Sequence, residues 1–273
     1  MYGAIIGDVA GSVLEFEGIK SRNFPIFDRD GFFTDDSVMT AAVFEAILDS
    51  QPNDGKTWFD PEVSENLRKN TIKRIREYGK LYPNAGYGGN FAFWLRENND
   101  EPYNSFGNGS AMRVSSAAYV SDSLDECLHV SDIVTGVTHN HPEGIKGARA
   151  VVSAIFKALH GDSKEDIYKY IQKQYYPQMT FTLAEIMPSY RFDESCQRTV
   201  PQAITSFYEA DSYEDAIRNA ISLGGDADTL GCITGSIAEA YFGVPDEMVE
   251  TLRTRYLDSR LTRICDKFED FTY

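Results

Sequence analysis

The sequence predicts an all-α protein organised as one domain, and three observations carry that expectation. Apolar residues recur at three- and four-residue spacing in segment after segment, as in Val38, Ala42, Val43, Ala46 and Ile47. No stretch keeps the strict alternation of a half-buried strand. No linker-like run divides the 273 residues, whose 42% hydrophobic and 25% charged content suits a sizeable buried core. Residues 1–273 are therefore expected to form a single domain.

Taken in order, residues 2–17 read as a helix in spite of Gly3, Gly7 and Gly11. These glycines repeat every four residues, a stripe that lets another backbone approach closely. Asp8 and Glu15, seven apart, fall on one face of such a helix with Ser12; the segment alone favours a solvated polar face over one that turns Glu15 into a site. Residues 18–33 form an irregular connection broken by Gly18, Pro25 and Gly31. A helix over 32–48 then carries Thr34, Asp35, Asp36 and Ser37 at its start. A polar loop (49–60) and a charged, exposed helix (61–80) follow, then a glycine-rich turn at 84–90 and an apolar run at 91–95.

Gly107 and Gly109 flank Asn108 and lead into a helix, so their backbone amides can cradle an anion. Arg113 would face a phosphate or, as is commoner beside such a turn, pair with an internal carboxylate. Pro142 suits the first position of a helix through Ile145, Ala148, Val152, Ile155 and Leu159. His139 and His141 precede it and are two apart, unlike the four-residue spacing of a zinc protease helix. With four histidines in all and Cys127, Cys196, Cys232 and Cys265 widely separated, neither a zinc site nor a disulfide framework is expected. Residues 160–200 give only polar helical fragments and an aromatic-rich loop. Helical pattern resumes at 201–209 and 213–223, and 245–273 reads as one or two charged helices.

The stretch S-L-G-G-D-A-D-T-L-G-C-I-T-G-S-I-A-E-A-Y-F-G at 222–243 carries the sharpest signal. It sets Asp226, Asp228 and Thr229 on a glycine turn at the start of an apolar helix. One cap needs a single such side chain, whereas Mg²⁺ or Mn²⁺ takes several oxygen ligands. Thr34, Asp35 and Asp36 repeat the device nearly two hundred residues earlier, which suggests two halves of one metal site. The formal charge of -16 disfavours non-specific nucleic-acid binding, and bound cations would offset part of it. No apolar run reaches membrane-spanning length and no basic leader region opens the chain, so a cytoplasmic protein is expected.

Five motifs in order resemble the ADP-ribosylglycohydrolases: G-D-V-A-G-S-V-L-E (7–15), F-T-D-D-S (33–37), S-F-G-N-G-S-A-M-R-V (105–114), T-H-N-H-P-E (138–143) and S-L-G-G-D-A-D-T (222–229). The resemblance implies a compact orthogonal helical bundle with two divalent cations, Mg²⁺ or Mn²⁺, in a central cleft that takes ADP-ribose. It implies metal ligation by Thr34, Asp35, Asp36, Asp226, Asp228 and Thr229, and catalysis by Glu15, with Asp36 as the other candidate for proton transfer. It places Gly86, Ser105, Phe106, Gly107, Asn108, Gly109 and His139 on the phosphates and ribose. Ser37 stands where the family has threonine and keeps the hydroxyl.

The implied activity is hydrolysis of the N- or O-glycosidic bond between ADP-ribose and an acceptor, a protein side chain or a small conjugate, by a monomer. Two metal ions can orient the ribose hydroxyls and activate water, while a nearby carboxylate handles the proton. A non-catalytic ADP-ribose reader and a structural relative both predict eroded acidic motifs, and these are intact. A metal-dependent phosphohydrolase of ADP-ribose would use similar ligands but release AMP. The variable rim is expected in residues 18–31 and 160–200.

Overall fold

The structure, a computed structural model, describes residues 1–272. Regular structure among them is helical, with one isolated antiparallel bridge joining Gly107 to Ser195. In chain order the helices are α1 (Tyr2–Ser12), α2 (Asp35–Leu48), α3 (Pro61–Leu81), α4 (Gly89–Arg96), α5 (Gly109–Met112), α6 (Ser116–Tyr119), α7 (Leu124–Gly136) and α8 (Pro142–Leu159). They continue with α9 (Lys164–Gln174), α10 (Leu183–Ile186), α11 (Cys196–Tyr208), α12 (Tyr213–Ser222), α13 (Ala227–Phe242), α14 (Asp246–Arg255) and α15 (Ser259–Thr272). Local chemistry marks many starts. Thr34, Ser123, Ser163, Thr182 and Ser212 accept backbone N–H bonds at N-caps, and Pro61 and Pro142 open α3 and α8.

The bundle is built on α1 against α13. All of α1 is buried, and so is α13 from Ala227 to Ala238. Glycine makes this possible. A Cβ on Gly7 would strike the Gly231 carbonyl, one on Gly231 the Gly7 carbonyl, and one on Gly3 or Gly235 the opposite backbone. Two helix backbones thus touch with no side chain between them, and the dense interior leaves no slack for an added methyl. Around this pair, α2, α8, α11 and α12 pack against α13 or α1. The tail is held by Glu45, buried on α2, which meets Arg260 at 3.1 Å and Lys267 at 3.6 Å.

Several sequence expectations change here. The first helix stops at Ser12, not at residue 17, and residues 13–18 form turns closed by Leu14 N–H to the Gly11 carbonyl. Gly11 lies on Ala227, where α13 begins, so a longer α1 would have no partner to bury against. Asp8 and Glu15 therefore share no helix face, and Asp8 is buried, not solvated. The helix after Gly109 is a single turn. The eleventh helix begins at Cys196 and runs through Pro201. The charged helix α3 is exposed on one side only, with Leu67, Ile72 and Ile75 buried on the other.

Candidate active site

The N-termini of α2 and α13 converge on a cleft of about 400 Å³. Its floor is organised by Asp8. That carboxylate, fully buried on α1, accepts from Thr34 N–H (2.9 Å), Thr34 Oγ1 (2.7 Å), Ser37 N–H (3.1 Å) and Ser37 Oγ. These bonds fix the first turn of α2 against α1. Thr34 is also the N-cap, accepting from Asp36 N–H at 3.3 Å. Across the floor, Thr229 of α13 donates to Asp36 Oδ2 at 3.1 Å, which links the two acidic clusters directly. Asp226 occupies the N-cap of α13 but makes no cap bond; its carboxylate instead accepts from Asn108 Nδ2 at 2.6 Å.

Burial and mutual repulsion of these carboxylates raise their proton affinity. Asp35, Asp36 and Asp228 are held well above the ordinary range by burial first and by neighbouring carboxylates second. Asp226 is pushed up to about 6, chiefly by burial. Glu15 reaches the same space from the turn after α1 and is pushed up to about 7 by burial, then by Asp228, Glu194 and Asp8. Oxygens of Glu15, Asp226 and Asp228 lie within 4.8 Å of one another, close enough to share a cation. Asp36 Oδ1 is buried with no hydrogen-bond partner. An orphaned carboxylate oxygen among raised acids is the donor set a hard cation satisfies.

One wall is the turn from Ser105 to Gly109. Asn108 is buried; its N–H donates to the Glu194 carbonyl at 2.7 Å and its Nδ2 also reaches Thr199 Oγ1 at 3.1 Å. Behind this turn, Arg113 Nη2 donates to Thr138 Oγ1 at 2.5 Å, and Thr138 Oγ1 lies 2.8 Å from His139 Nδ1. Arginine has only donors, so the threonine hydrogen is free to point at Nδ1 and the ring hydrogen belongs on Nε2. Nε2 faces the Gly107 and Gly109 side of the cleft. Burial and Arg113 hold the imidazole well below its ordinary pKa, so it is a neutral donor there.

Every site residue expected from the sequence lines the cleft except Phe106: Glu15, Thr34, Asp35, Asp36, Gly86, Ser105, Gly107, Asn108, Gly109, His139, Asp226, Asp228 and Thr229. Phe106 is half exposed and meets the His141 ring instead, at 5.3 Å. His141 caps α8 through Glu143 N–H. Arg113 lines the cleft, fully buried over the Phe91 ring, and makes no ion pair among the described residues, so the expected internal carboxylate partner is absent. The expected rim is also only partly right. No residue of 18–31 lines the cleft, and from 160–200 only Phe192 and Glu194 do.

Sequence reasoning missed Phe16, Phe32, Tyr103, Phe192 and Glu194. Phe16 and Phe192 stack across the mouth with centroids 5.8 Å apart. Nothing periodic marks 190–195, although the acidic run before α11 is a usable hint of a helix start. Arg113, which the sequence singles out as a residue to face a phosphate or pair with a carboxylate, does line the cleft.

Comparison with known proteins places this architecture. The family model described as ADP-ribosylglycohydrolase matches residues 1–272. The chain is 26% identical to ADP-ribosylarginine hydrolase Tri1 of Pseudomonas putida over 92% of this chain and 72% of that protein. It is 24% identical to human ADP-ribosylhydrolase ARH3 over 91% and 85% respectively. A solved structure titled ADP-ribosylglycohydrolase-related protein complex superposes with a TM-score of 0.70 over 99% of this chain and 95% of its own, at 20% identity, which shows the shared fold. The bundle is thus that of a hydrolase class acting on ADP-ribose conjugates. The chain belongs to the ADP-ribosylglycohydrolase family and is an enzyme of it. No helix among the described residues is long and apolar enough to cross a membrane.

Proposed function

We propose that the enzyme cleaves the N- or O-glycosidic bond joining ADP-ribose to an acceptor, a protein side chain foremost, and releases ADP-ribose. The observation that carries this reading is the meeting of two buried acidic helix starts with Glu15, a half-buried carboxylate with an oxygen within 4.8 Å of those of Asp226 and Asp228, where it can pass a proton to or from the reacting groups. Thr34, Asp35, Asp36, Asp226, Asp228 and Thr229 would hold two divalent cations, Mg²⁺ or Mn²⁺. When bound, these ions supply positive charge to the floor and Lewis acidity toward ribose hydroxyls and water.

The chain's own residues supply the rest. Glu15 hands a proton to the leaving acceptor or takes one from the attacking water, with Asp36, deeper and fully enclosed, as the alternative group. The Ser105 hydroxyl, the Gly109 N–H and His139 Nε2–H offer donors to the diphosphate and its ribose in an otherwise acidic cleft, while the Gly107 N–H holds Ser105 Oγ at 3.2 Å and shapes the turn. Gly86, beside Asp35 Oδ1, leaves room for the sugar because no side chain stands there. The whole chain would act as one unit, as a monomer.

The decisive experiment incubates the protein with arginine-linked and serine-linked ADP-ribosylated proteins, with Mg²⁺ or with EDTA, and identifies the product by mass. Intact ADP-ribose with Mg²⁺, and at least ~10³-fold less with EDTA or in Asp228→Ala, is expected, a loss of about 4 kcal/mol in transition-state stabilisation. Release of AMP would point to a phosphohydrolase. Binding without turnover of any conjugate would point to a reader.

A further inference from the structure

We propose that Lys20 is a positioning residue: its ammonium fastens together the three segments that carry Glu15, Phe192 with Glu194, and Asp226 with Asp228. Lys20 lies outside the cleft. An ammonium has three hydrogens to donate and no acceptor. Lys20 Nζ directs them at three main-chain carbonyls, those of Tyr190 (2.9 Å), Leu223 and Gly224 (3.3 Å). Each carbonyl sits two to four residues from a group in the cleft. Tyr190 precedes Phe192 and Glu194, Leu223 and Gly224 precede Asp226 and Asp228, and Lys20 lies two residues beyond the turn that bears Glu15.

The joint is tight on the other side as well. Gly224 has φ of +57°, and a Cβ there would strike the Ile19 carbonyl and Gly18. Gly225 lies against the Tyr190 ring, which leaves no room for a side chain. The turn at 13–18 has no helix to hold it, since α1 ends at Ser12. Its hydrogen bonds are the local ones from Leu14 and Glu17. The Lys20 ammonium is therefore the long-range polar attachment nearest the turn that sets Glu15 against α13; the next along the chain are Arg22 to Asp215 and Arg218 to the Arg22 and Phe24 carbonyls. Charge-assisted bonds of this kind are roughly twice as strong as neutral ones, and an error of about 1 Å in a reacting group can lower a rate ~10²-fold.

This inference rests on the reading of Glu15 as a reacting group, and hydrogen exchange tests the fastening independently of turnover. In Lys20→Ala, residues 13–22 and 190–194 are expected to exchange faster while α1 and α13 stay protected. Cleavage should fall by roughly 10- to 100-fold. Lys20→Arg, which keeps charge and donors, should recover most of both properties. Propylammonium, which replaces the missing Cγ to Nζ atoms, should restore cleavage to Lys20→Ala, whereas tetramethylammonium, with no N–H, should not.

Unchanged exchange in 13–22, or rescue equal for the two cations, overturns the proposal. Should Lys20→Ala not fold, Lys20→Gln carries the same exchange measurement. If the wild-type protein cleaves no conjugate, the functional reading fails, and the exchange data alone still decide whether Lys20 fastens the three segments.

Discussion

At the floor of the cleft, each aspartate stands on a helix face or helix start and is hemmed in by backbone. Asp8 holds Thr34 and Ser37, Thr229 holds Asp36, and α1 meets α13 through paired glycines. At the mouth, Phe16, Phe32 and Phe192 are 82%, 54% and 43% exposed and come from turns and loops outside the helices. The floor spends its precision on bringing charged groups of one sign together, which only close packing can enforce. The mouth needs no such enforcement, and its residues are free to suit the group attached to ADP-ribose. On the proposed function, chemistry and acceptor choice would fall to regions with different mechanical demands.

The contrast can be broken hardest at the helix pair. Gly231→Ala places a methyl on the Gly7 backbone, and separation of the helices should cost about 3 kcal/mol. That corresponds to a fall of roughly 6–12 °C in melting temperature by calorimetry, together with loss of any melting gain from Mg²⁺. A variant as stable as wild type would mean that α1 and α13 are not held at this distance in solution.

A middle-sized effect comes from pH. In the metal-free protein, Glu15 is raised from 4.5 to about 7 and Asp226 from 3.8 to about 6, and Asp35, Asp36 and Asp228 move the same way. A raised folded-state pKa means that the folded protein binds more protons than the unfolded chain between the two values. The stabilisation is present at the acidic end and is lost as pH rises through the folded pKa. In EDTA, melting temperature should therefore fall between about pH 4 and 7, from the ordinary carboxylate values up to those of Asp226 and Glu15. On the proposed function Mg²⁺ would compete with those protons, so any gain it gives should grow over the same interval. A metal-free curve that rises with pH would show that these acids do not repel one another as placed.

The smallest change in stability belongs to the mouth. Phe16→Ala and Phe192→Ala remove a stacked but exposed pair and should each alter stability by less than about 1 kcal/mol. KM for an ADP-ribosylated protein should rise several-fold with kcat and the Mg²⁺ melting gain little changed. A loss of kcat comparable to that of Asp228→Ala would make the mouth part of the reacting machinery and erase the contrast.

Residue types and local spacing made much of this readable in advance. The helix starts at Asp35 and Ala227 are marked by oxygen-bearing residues followed by apolar periodicity, and Pro142 marks α8 in the same way. The glycine stripe announced a close helix contact, though not with which helix. The burial of Asp8 has no local signature, because its hydrogen-bond partners lie 26 and 29 residues away. Phe192 and Lys20 carry no local pattern, and Glu194 only that of a helix start, since their neighbours in space are as much as 204 residues away in sequence.

What the sequence determined by itself is the helical class and the identity of the acidic clusters, because periodicity, caps and ligand types are properties of a few adjacent residues. Only the tertiary structure decided that Asp8 is a buried organiser, that Glu15 enters from a turn, and that Phe106 faces away from the cleft. Those outcomes depend on where α1 runs out of partner at Ala227 and on which loops meet over α13. Packing between distant segments sets both, and no local propensity encodes it.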